Sequence, residues 1–389
     1  MAIKLYYVTR SFYPYQKGGG PIMRTGAVRY LKELGWDITV VMPNYNGDEL
    51  ICENGIWKIP FSDKYHPRLA AFFQRIGFYE DYLDKWVDSA FDYLKEVVNP
   101  RDFVFSTCGG ELGPIKLGSL LKAELGCRYV VNFRDPLEFG YMNGLRKNKV
   151  IHVSREKSQR KYISNADLVI TSSDYYSSAL KSRFPEIASR VHSNYFGYIN
   201  TVELYKLKKK TSVKLRIAYS GTMSEAQRPE ILYEAVKQLG SDNIEIYFIG
   251  NRDNYPPLRG IVDENIHFLK FMPHDEFLKF MCKNIDVGFV SLTNDYYGAC
   301  VPSKIYEYIN LGLPILGVLP EGDGKDIINT FNYGQVVGCD DVDKLVEILS
   351  QWSDKRKIER IRDSILKDRN SWAMKTKIDE VDMLLRLIC

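Results

Sequence analysis

The chain has 389 residues, a formal net charge of +4 at pH 7 and a hydrophobic content of 45%. This length exceeds what one hydrophobic core usually serves, so we expect two domains of roughly 150 to 200 residues each. The net charge is mild, and no run of Lys and Arg is longer than three residues. Nucleic acid is therefore a poor candidate partner.

Cysteine and histidine usage argues against metal chemistry. The seven cysteines are scattered and contain no CxxC pair, which favours a reducing compartment and disfavours a zinc site. The five histidines show no metal-ligand spacing, so packing or surface roles are expected for them. The N-terminus lacks an apolar segment of signal-peptide length, and no run approaches the ~18 apolar residues of a membrane span. We expect a cytoplasmic protein that requires no metal and no cofactor.

Short apolar runs rich in β-branched and aromatic residues recur through the first half of the chain. Such runs suit strands that are buried on both faces of a parallel sheet. They lie at 3–9, 38–43, 102–107, 129–133 and 168–173. Between them, residues 26–35 and 113–126 carry apolar residues at helical spacing and end in Gly, as helix C-termini often do.

The second half repeats this alternation of strand and helix. Strands are predicted at 215–220, 244–250, 286–290 and 314–319, with helices at 229–240 and 275–284. The fold class is therefore α/β, with two doubly wound, Rossmann-like domains. Residues 1–197 form the first predicted domain, 198–213 the linker and 214–371 the second domain. A ligand is expected in the cleft between them, at the carboxyl ends of the strands.

The segment VPSKIYEYINLGLPILGV, residues 301–318, predicts a binding site for a nucleotide diphosphate. Pro302 can begin a helix, because its missing N–H costs nothing in the first turn. The free N–H groups of that turn, the helix dipole, the Ser303 hydroxyl and the Lys304 ammonium suit a diphosphate. Glu307 lies one turn further on the same face, where its carboxylate can accept two ribose hydroxyls. A helix with a solvated Lys and Glu is the alternative.

These residues resemble the donor-binding segment of the retaining glycosyltransferases of family 4, and in particular their PSK-type members. Further segments match in the same order, namely YVTRSFYPYQKGGGP, VVNFRDP, NADLVITSS and YSGTMSEAQRPEIL. The resemblance implies the GT-B fold, in which two Rossmann-like domains face each other across a cleft. It also implies a last helix, 372–389, that crosses back onto the first domain. The implied reaction transfers a sugar from a UDP-linked donor to a glycan or lipid-linked acceptor in surface-polysaccharide assembly.

Glycines follow several predicted strands. Gly19 and Gly20 belong to a glycine-rich loop after the first strand, which is either a flexible turn or a close approach to a ligand. The resemblance places this loop beside the donor phosphates and the acceptor. It also implies that Gly221 and Thr222, after strand 215–220, pass close to the diphosphate. Gly250 ends the next strand and permits close approach of the nucleotide.

Three charged residues complete the predicted chemistry. Arg228 is the candidate partner of the diphosphate, because a guanidinium can hold phosphate oxygens bidentately; a surface residue at a helix start is the alternative. Arg134 and Asp135 end a buried strand, where unpaired charges are costly. The resemblance suggests that they face the acceptor or the transferred sugar. Arg228, Lys304 and Asp135 are thus the predicted catalytic residues.

One position departs from the family pattern. Many members carry a Glu eight residues before the one that Glu307 matches, and here that position is Ala299, with Asp295 the closest upstream carboxylate. The nucleotide base is assigned to Phe271 and Met272, after a strand at residues 266–270, although apolar residues there can also be core. The donor sugar stays open.

Residues 65–86 mix basic and aromatic side chains and predict either a helix that rests in a membrane interface or a plain core helix. Two alternatives to a glycosyltransferase share the fold. A nucleotide-sugar 2-epimerase needs acid and base groups around the sugar, which the few histidines and Ala299 disfavour. A non-catalytic sugar- or nucleotide-binding protein would normally carry an export signal.

Overall fold

A computed structural model describes residues 4–60, 69, 72–73, 76, 78–137, 142–143, 146–147, 149–204, 212–253, 255–352 and 355–389. The chain divides into two compact units. Unit 1 consists of Met1–Phe196 and Met374–Cys389, and unit 2 of Gly197–Ala373. The sequence predicted domains of 1–197 and 214–371 with a linker at 198–213, of which residues 205–211 lie outside the described residues.

Unit 1 is built on a nearly all-parallel sheet. Its strands are β1 (Lys4–Val8), β2 (Asp37–Asn44), β3 (Ile51–Glu53), β4 (Ile56–Pro60), β5 (Phe103–Gly109), β6 (Arg128–Asp135), β9 (Leu168–Thr171) and β10 (Val191–Ser193). Strands β7 (Met142–Asn143) and β8 (Arg146–Lys147) form a separate hairpin between β6 and β9 in the chain. The described strands have the order β10-β9-β6-β5-β1-β2-β4-β3, and only β3 and β4 pair antiparallel. The strand order reverses between β1 and β5.

Helices cover this sheet. They are α1 (Gly19–Glu33), α2 (Asp84–Leu94), α3 (Gly113–Leu125), α4 (Lys149–Ile163) and α5 (Asp174–Arg183). Trp86 of α2 and Leu117 of α3 are fully buried against the sheet. The C-terminal helix, Met374–Arg386, packs against α1, and Asp382 accepts a hydrogen bond from Nε1 of Trp36 at 2.7 Å.

Unit 2 contains an all-parallel sheet. Its strands are β11 (Leu215–Ser220), β12 (Ile244–Ile249), β13 (Ile266–Leu269), β14 (Val287–Ser291), β15 (Ile315–Val318) and β16 (Gly334–Val337). The described strands have the order β13-β12-β11-β14-β15-β16, so the order reverses between β11 and β14. Parallel sheets of this kind bind ligands at such a switch point, outside the carboxyl ends of the strands.

The helices of unit 2 are α6 (Glu230–Leu239), α7 (His274–Asn284), α8 (Ser303–Leu311), α9 (Asp323–Thr330), α10 (Val342–Trp352) and α11 (Lys355–Asp368). One side chain seats α8 on the sheet. The Tyr308 hydroxyl donates to the Phe289 carbonyl at 3.0 Å, and a Cβ at position 288 would lie 2.5 Å from the tyrosine ring. Gly288 therefore makes room for this ring, and α8 is fixed against β14.

The predicted α/β fold class is confirmed, and each predicted strand overlaps a strand of the structure. The predicted start of the first helix, residue 26, is wrong, because α1 begins at Gly19. Glycines and proline are poor helix formers in general, which hides the first turn from a periodicity argument. Proline is nevertheless tolerated in that turn. Strands β3, β4, β10 and β16 and the short hairpin of β7 and β8 were not predicted.

Part of the predicted amphipathic segment 65–86 lies outside the described residues, namely 65–68, 70–71, 74–75 and 77. Of its described part, Phe78 is 72% exposed, whereas Trp86 is buried in the core. Across the described ranges, none of the helices combines the length and the apolar character that crossing a membrane demands.

Candidate active site

At the switch point of unit 2, the Lys304 side chain lies against Gly221. Gly221 follows β11 with φ of 117°, a conformation that favours glycine. A Cβ on this residue would lie 2.9 Å from Cε and 3.1 Å from Nζ of Lys304. The same ammonium lies 5.1 Å from the ring centroid of the buried Tyr219. The lysine is thus positioned by a backbone turn and an aromatic face.

A second glycine loop supports the first. A Cβ on Gly250 would lie 2.3 Å from the Gly221 carbonyl oxygen, so the two loops touch through their backbones. The Gly221 N–H donates to the Ile249 carbonyl at 2.9 Å, and the Gly250 N–H donates to the Leu269 carbonyl at 2.8 Å. A glycine is required at position 250 by this contact within the chain. Contact of Gly250 with a nucleotide stays a prediction.

Helix α8 presents its N-terminus beside this lysine. The sequence predicted that Pro302 begins this helix. In the structure Pro302 instead precedes the helix, with φ of −57° and ψ of 128°. This extended ψ leaves Ser303 as the first helical residue, and its side chain is exposed. No side chain caps the helix, so its first N–H groups have no side-chain acceptor.

The Lys304 ammonium makes no hydrogen bond or ion pair with any residue in the described ranges. Burial lowers the pKa of this ammonium, and the nearby Glu307 carboxylate opposes the shift. A partly buried cation at a helix N-terminus is an unsatisfied charge. Both features favour an anion at this place.

Glu307 lies one turn further along α8, and it is coupled to a residue that the sequence did not single out. Its Oε1 atom lies 3.8 Å from Nδ1 of His274, the first residue of α7. Burial raises the pKa of Glu307, while His274 and Lys304 favour the ionised form. The histidine had been expected to pack or to lie on the surface, because an isolated histidine carries no spacing signal.

The loop before α7 carries the predicted base contacts. Phe271 is 63% exposed, so the alternative that it is core is wrong for this residue, and Met272 is half-buried. The loop connects β13 to His274, the residue that contacts Glu307. An exposed aromatic ring beside a carboxylate suits a base and a ribose.

Arg228 lies among carboxylates. Its guanidinium pairs with Asp340 at 3.0 Å and Glu234 at 3.5 Å, and Nε lies 4.0 Å from Glu230. Arg228 has φ of 39°, which is uncommon for a residue with a side chain. The structure thus shows this arginine paired with the chain's own acids, in contrast to Lys304. Thr222, which follows Gly221 in the loop after β11, accepts a hydrogen bond at its carbonyl from the Tyr219 hydroxyl.

Ala299 ends a short 3₁₀ helix, Asp295–Ala299. A Cβ on Gly298 would lie 2.1 Å from the Glu321 carbonyl oxygen, so this helix packs closely on the turn before α9. Asp295 is exposed at the other end of the 3₁₀ helix. The backbone contact fixes where both residues lie.

The predicted residues of unit 1 also meet at a switch point. Arg134 and Asp135 end β6 and form an ion pair at 2.7 Å. A Cβ on Gly20 would lie 2.4 Å from Nη1 of Arg134, so this arginine lies against the first turn of α1. The structure therefore brings Gly20, Arg134 and Asp135 together. Gly19 precedes Gly20 as the first residue of α1.

Three further charged residues complete this cluster, and the sequence did not predict them. Glu111, 2% exposed, pairs with Arg24 at 3.1 Å and with Arg10 at 3.2 Å. Arg10 follows β1 and Glu111 follows β5, the strands that flank the switch point. The sequence signal that could have identified Arg10 and Glu111 is that each follows shortly after a predicted strand. Within the described residues, no group of three or more His, Cys, Asp or Glu could hold a metal ion.

No protein-family model matches the chain. No curated protein sequence matches it either. Solved structures, in contrast, are similar along its whole length. The chain superposes on HepE of Anabaena, determined in complex with UDP-glucose, with a TM-score of 0.70, 12% identity and 99% of both chains covered.

Two further structures show the same similarity. For the lipopolysaccharide outer core galactosyltransferase WaaB the TM-score is 0.69, with 11% identity and 100% of both chains covered. For the α,α-trehalose 6-phosphate synthase of Burkholderia multivorans it is 0.66, with 12% identity and coverage of 100% of this chain and 97% of that one. The GT-B fold predicted from the sequence is thereby confirmed.

Proposed function

We propose that this protein is a glycosyltransferase that moves a sugar from a nucleotide-diphosphate sugar to an acceptor hydroxyl. One observation carries the proposal. The Lys304 ammonium has no hydrogen-bond or ion-pair partner among the described residues, lies against the Gly221 turn and adjoins the uncapped N-terminus of α8. Backbone N–H groups, a helix dipole and an ammonium together form a receptor for a diphosphate.

The nucleotide is proposed to be UDP. HepE was determined with UDP-glucose, and an Escherichia coli structure with a TM-score of 0.65 and 11% identity was determined with UDP-2-fluoro glucose. WaaB is a lipopolysaccharide galactosyltransferase. These similarities support a UDP-sugar donor and a role in polysaccharide, O-antigen or capsule assembly, with a glycan or lipid-linked acceptor.

The donor contacts follow from the geometry of unit 2. Lys304, Ser303 and the backbone at Gly221 and Thr222 are assigned to the diphosphate. Glu307 is assigned to the ribose, because its carboxylate can accept two adjacent hydroxyls. Phe271 and Met272 are assigned to the base.

Arg228 is assigned to the diphosphate as a second cation. To fill this role, its guanidinium must exchange Asp340 and Glu234 for phosphate oxygens. Bidentate pairing with phosphate makes such an exchange chemically reasonable. Arg134 and Asp135 are assigned to the acceptor or the transferred sugar on the family resemblance.

In the proposed reaction, the bond between the sugar C1 and the diphosphate oxygen breaks while the acceptor oxygen bonds to C1 on the same face. The acceptor proton passes to an oxygen of the leaving diphosphate. Lys304 and the α8 N-terminus stabilise the negative charge that develops there, which is the main electrostatic contribution to such a reaction. Because cationic side chains supply this stabilisation, the mechanism does not call for a metal.

Several finer assignments remain predictions. They are membership of family 4 with its PSK-type motif, retention of anomeric configuration, a cytoplasmic location and a membrane-surface contact through residues 65–86.

The test incubates the purified chain with UDP-glucose, UDP-galactose, UDP-N-acetylglucosamine and GDP-mannose, with and without acceptor glycans. We expect a UDP-sugar to raise the melting temperature, since a ligand at 100 times its Kd adds about 2.7 kcal/mol of stability. We also expect acceptor-dependent release of UDP, and NMR of the product should show the donor's anomeric configuration.

Other outcomes identify other functions. A product of opposite configuration would contradict retention. An epimerised donor without acceptor would identify a 2-epimerase, and binding without turnover a non-catalytic protein. A chain that none of the nucleotide sugars stabilises would contradict the proposal itself.

A further inference from the structure

Unit 2 contains a cavity of about 510 Å³ that none of the residues assigned to the donor lines. One wall is formed by residues 201–204, shortly after the chain passes from unit 1 into unit 2 at residue 197. The other wall is formed by α11 and by Arg369, which begins the short 3₁₀ helix Arg369–Trp372. The volume lies within the range of roughly 300 to 1,000 Å³ that is usual for small-molecule sites.

A buried amide holds the first wall in place. Asn310, which is 2% exposed and lies in the last turn of α8, accepts at Oδ1 from the Val202 N–H at 3.1 Å and from Nη2 of Arg369 at 3.1 Å. Its Nδ2 donates to the Asn200 carbonyl at 2.8 Å. The wall is therefore formed before any ligand binds, which reduces the entropic cost of binding. It is also hydrogen-bonded to the helix that carries Lys304 at its opposite end.

The Arg369 guanidinium brings a positive charge to this cavity, and the described residues give it no counterion. Its Nη2 donates to the Asn310 side chain and to the Val202 carbonyl, which are both neutral groups. Its Nε is buried without a hydrogen-bond partner, and its Nη1 makes no hydrogen bond within the described ranges. Burial lowers the pKa of this guanidinium, as is usual for a cation without a carboxylate beside it. An anion at the cavity would supply the missing counterion.

A second arginine, Arg362 of α11, lines the same cavity. It forms neither a hydrogen bond nor an ion pair with any residue that the structure describes. The lining residues of the described ranges include one carboxylate, that of the exposed Glu203. Two guanidiniums therefore outnumber the acids, and the cavity attracts negative charge.

The rest of the cavity is largely aliphatic. Val202, Leu204 and Leu366 line it, and Leu366 is 39% exposed. A Cβ on Gly312 would lie 2.9 Å from Cδ2 of Leu366 and 3.6 Å from Cδ1 of Leu204, so both leucines pack against the turn that ends α8. Among the described residues of the lining there is no aromatic ring on which a base or a sugar could stack. The surface thus suits an aliphatic chain.

We propose that this cavity binds a small amphipathic anion. Its carboxylate or phosphate group pairs with Arg362 and Arg369, because a guanidinium holds such oxygens bidentately. Its aliphatic chain lies on Val202, Leu204 and Leu366, where it leaves water. The proposal goes beyond the proposed function and does not depend on it, since the residues assigned to the donor lie elsewhere in unit 2 or in unit 1.

The test uses octyl phosphate and octanoate as probes, at concentrations below micelle formation. Their affinities for the full-length protein are measured by titration calorimetry and saturation-transfer NMR, beside those of octanol and inorganic phosphate. We expect at least one of the two amphipathic anions to bind. Octanol lacks the charge and inorganic phosphate lacks the chain, so each should bind at least about tenfold more weakly.

Two variants locate the bound probe. Arg362→Gln should weaken binding at least about tenfold, as loss of a charged hydrogen-bond donor does, with little change in melting temperature because Arg362 has no partner among the described residues. Leu366→Ala should weaken it severalfold through the aliphatic chain. Arg360→Gln is the matched control, because Arg360 is exposed on the same helix and does not line the cavity.

Several results would overturn the proposal. They are absence of binding by both amphipathic anions, equal affinity of the wild type and Arg362→Gln, and binding of inorganic phosphate or octanol as tight as that of the amphipathic anions. Displacement of the probe by saturating UDP would place it in the proposed donor site instead. Binding of phosphatidylglycerol vesicles that Arg362→Gln abolishes, with neither free anion bound, would assign these arginines to a membrane surface.

Discussion

The two units place charged side chains at the same topological position but in opposite electrostatic states. In unit 2, Lys304 lies at the reversal between β11 and β14 and has no partner in the described part of the chain. In unit 1, at the reversal between β1 and β5, Arg10 and Arg24 pair with Glu111 and Arg134 with Asp135. The comparison teaches that sheet topology provides the location, whereas charge pairing decides whether a cation there is left without a counterion.

Removing the charge at the centre of the unit 1 cluster should have the largest effect. Glu111→Gln leaves the buried Arg24 and the partly exposed Arg10 near each other without their carboxylate. We expect the free energy of unfolding to fall by about 3 to 5 kcal/mol, as is usual when one partner of a buried pair is lost. Urea denaturation measures this change.

The matched control is Glu186→Gln, which breaks an ion pair with Arg160 whose side chains are 42% and 53% exposed. This pair should contribute only about 0 to 1 kcal/mol. Equal effects of the two variants would show that Glu111 is not a buried counterion, and the contrast between the units would be lost.

Lys304→Ala tests the unpaired charge of unit 2. If the ammonium stabilises the departing diphosphate, kcat/KM should fall by about 10²-fold or more while the fold remains intact. Steady-state kinetics with whichever UDP-sugar the donor panel selects measures this. Lys237→Ala serves as the control, because Lys237 also lies over a tyrosine ring, that of Tyr233 at 6.0 Å, but on the outer helix α6. A Lys304 variant as active as the Lys237 variant would remove Lys304 from the site.

Gly221→Ala asks whether the turn positions the lysine. The added Cβ would lie 2.9 Å from Lys304 Cε, so the side chain must move. We expect kcat/KM to fall about tenfold, since misplacement of a charge weakens transition-state stabilisation. Gly240→Ala is the control, because Gly240 has φ of 63° with open space around its would-be Cβ. It carries backbone strain without the clash, so an equal loss of activity in both variants would contradict the positioning role.

Glu307→Gln should act mainly on donor binding. A ribose contact holds the substrate and the transition state about equally, so the donor KM should rise several-fold with a smaller effect on kcat. The preference for a ribose donor over its 2′-deoxy form should also weaken. A variant that keeps both the wild-type KM and the full preference would show that Glu307 is only a surface residue of α8.

The smallest expected effect is a shift in pH dependence. Because burial raises the pKa of Glu307, its carboxylate is lost on acidification at a higher pH than an ordinary glutamate, and donor KM should rise there. Because burial lowers the pKa of Lys304, kcat/KM should fall on the alkaline side before an ordinary lysine titrates. Profiles of the wild type and Glu307→Gln decide the acid side. An acid limb that persists unchanged in the variant would assign it to another group.

Local sequence patterns were sufficient for the α/β class and for most of the strands of both sheets. Apolar runs and glycine-terminated helices report on their own neighbourhood in the chain, and such information survives without tertiary contacts. The sequence also predicted, for the same reason, that Ser303, Lys304 and Glu307 lie close together on one helix, since helical spacing fixes which residues share a face. The first turn of α1 was not readable, because its glycines and proline carry no helical signal.

Which charges are paired was decided only by the tertiary structure. Arg228 and Lys304 are both cations near predicted strand ends, yet the fold gives Arg228 an aspartate at position 340 and leaves Lys304 against Gly221. His274 approaches Glu307 because α7 and α8 are neighbours in unit 2, and Glu111 meets Arg24 because β1 and β5 are adjacent. Strand order arises from contacts between residues far apart in the chain. The sequence by itself therefore determined the α/β class and the candidate charged residues, and the tertiary structure decided which of those charges are paired within the chain.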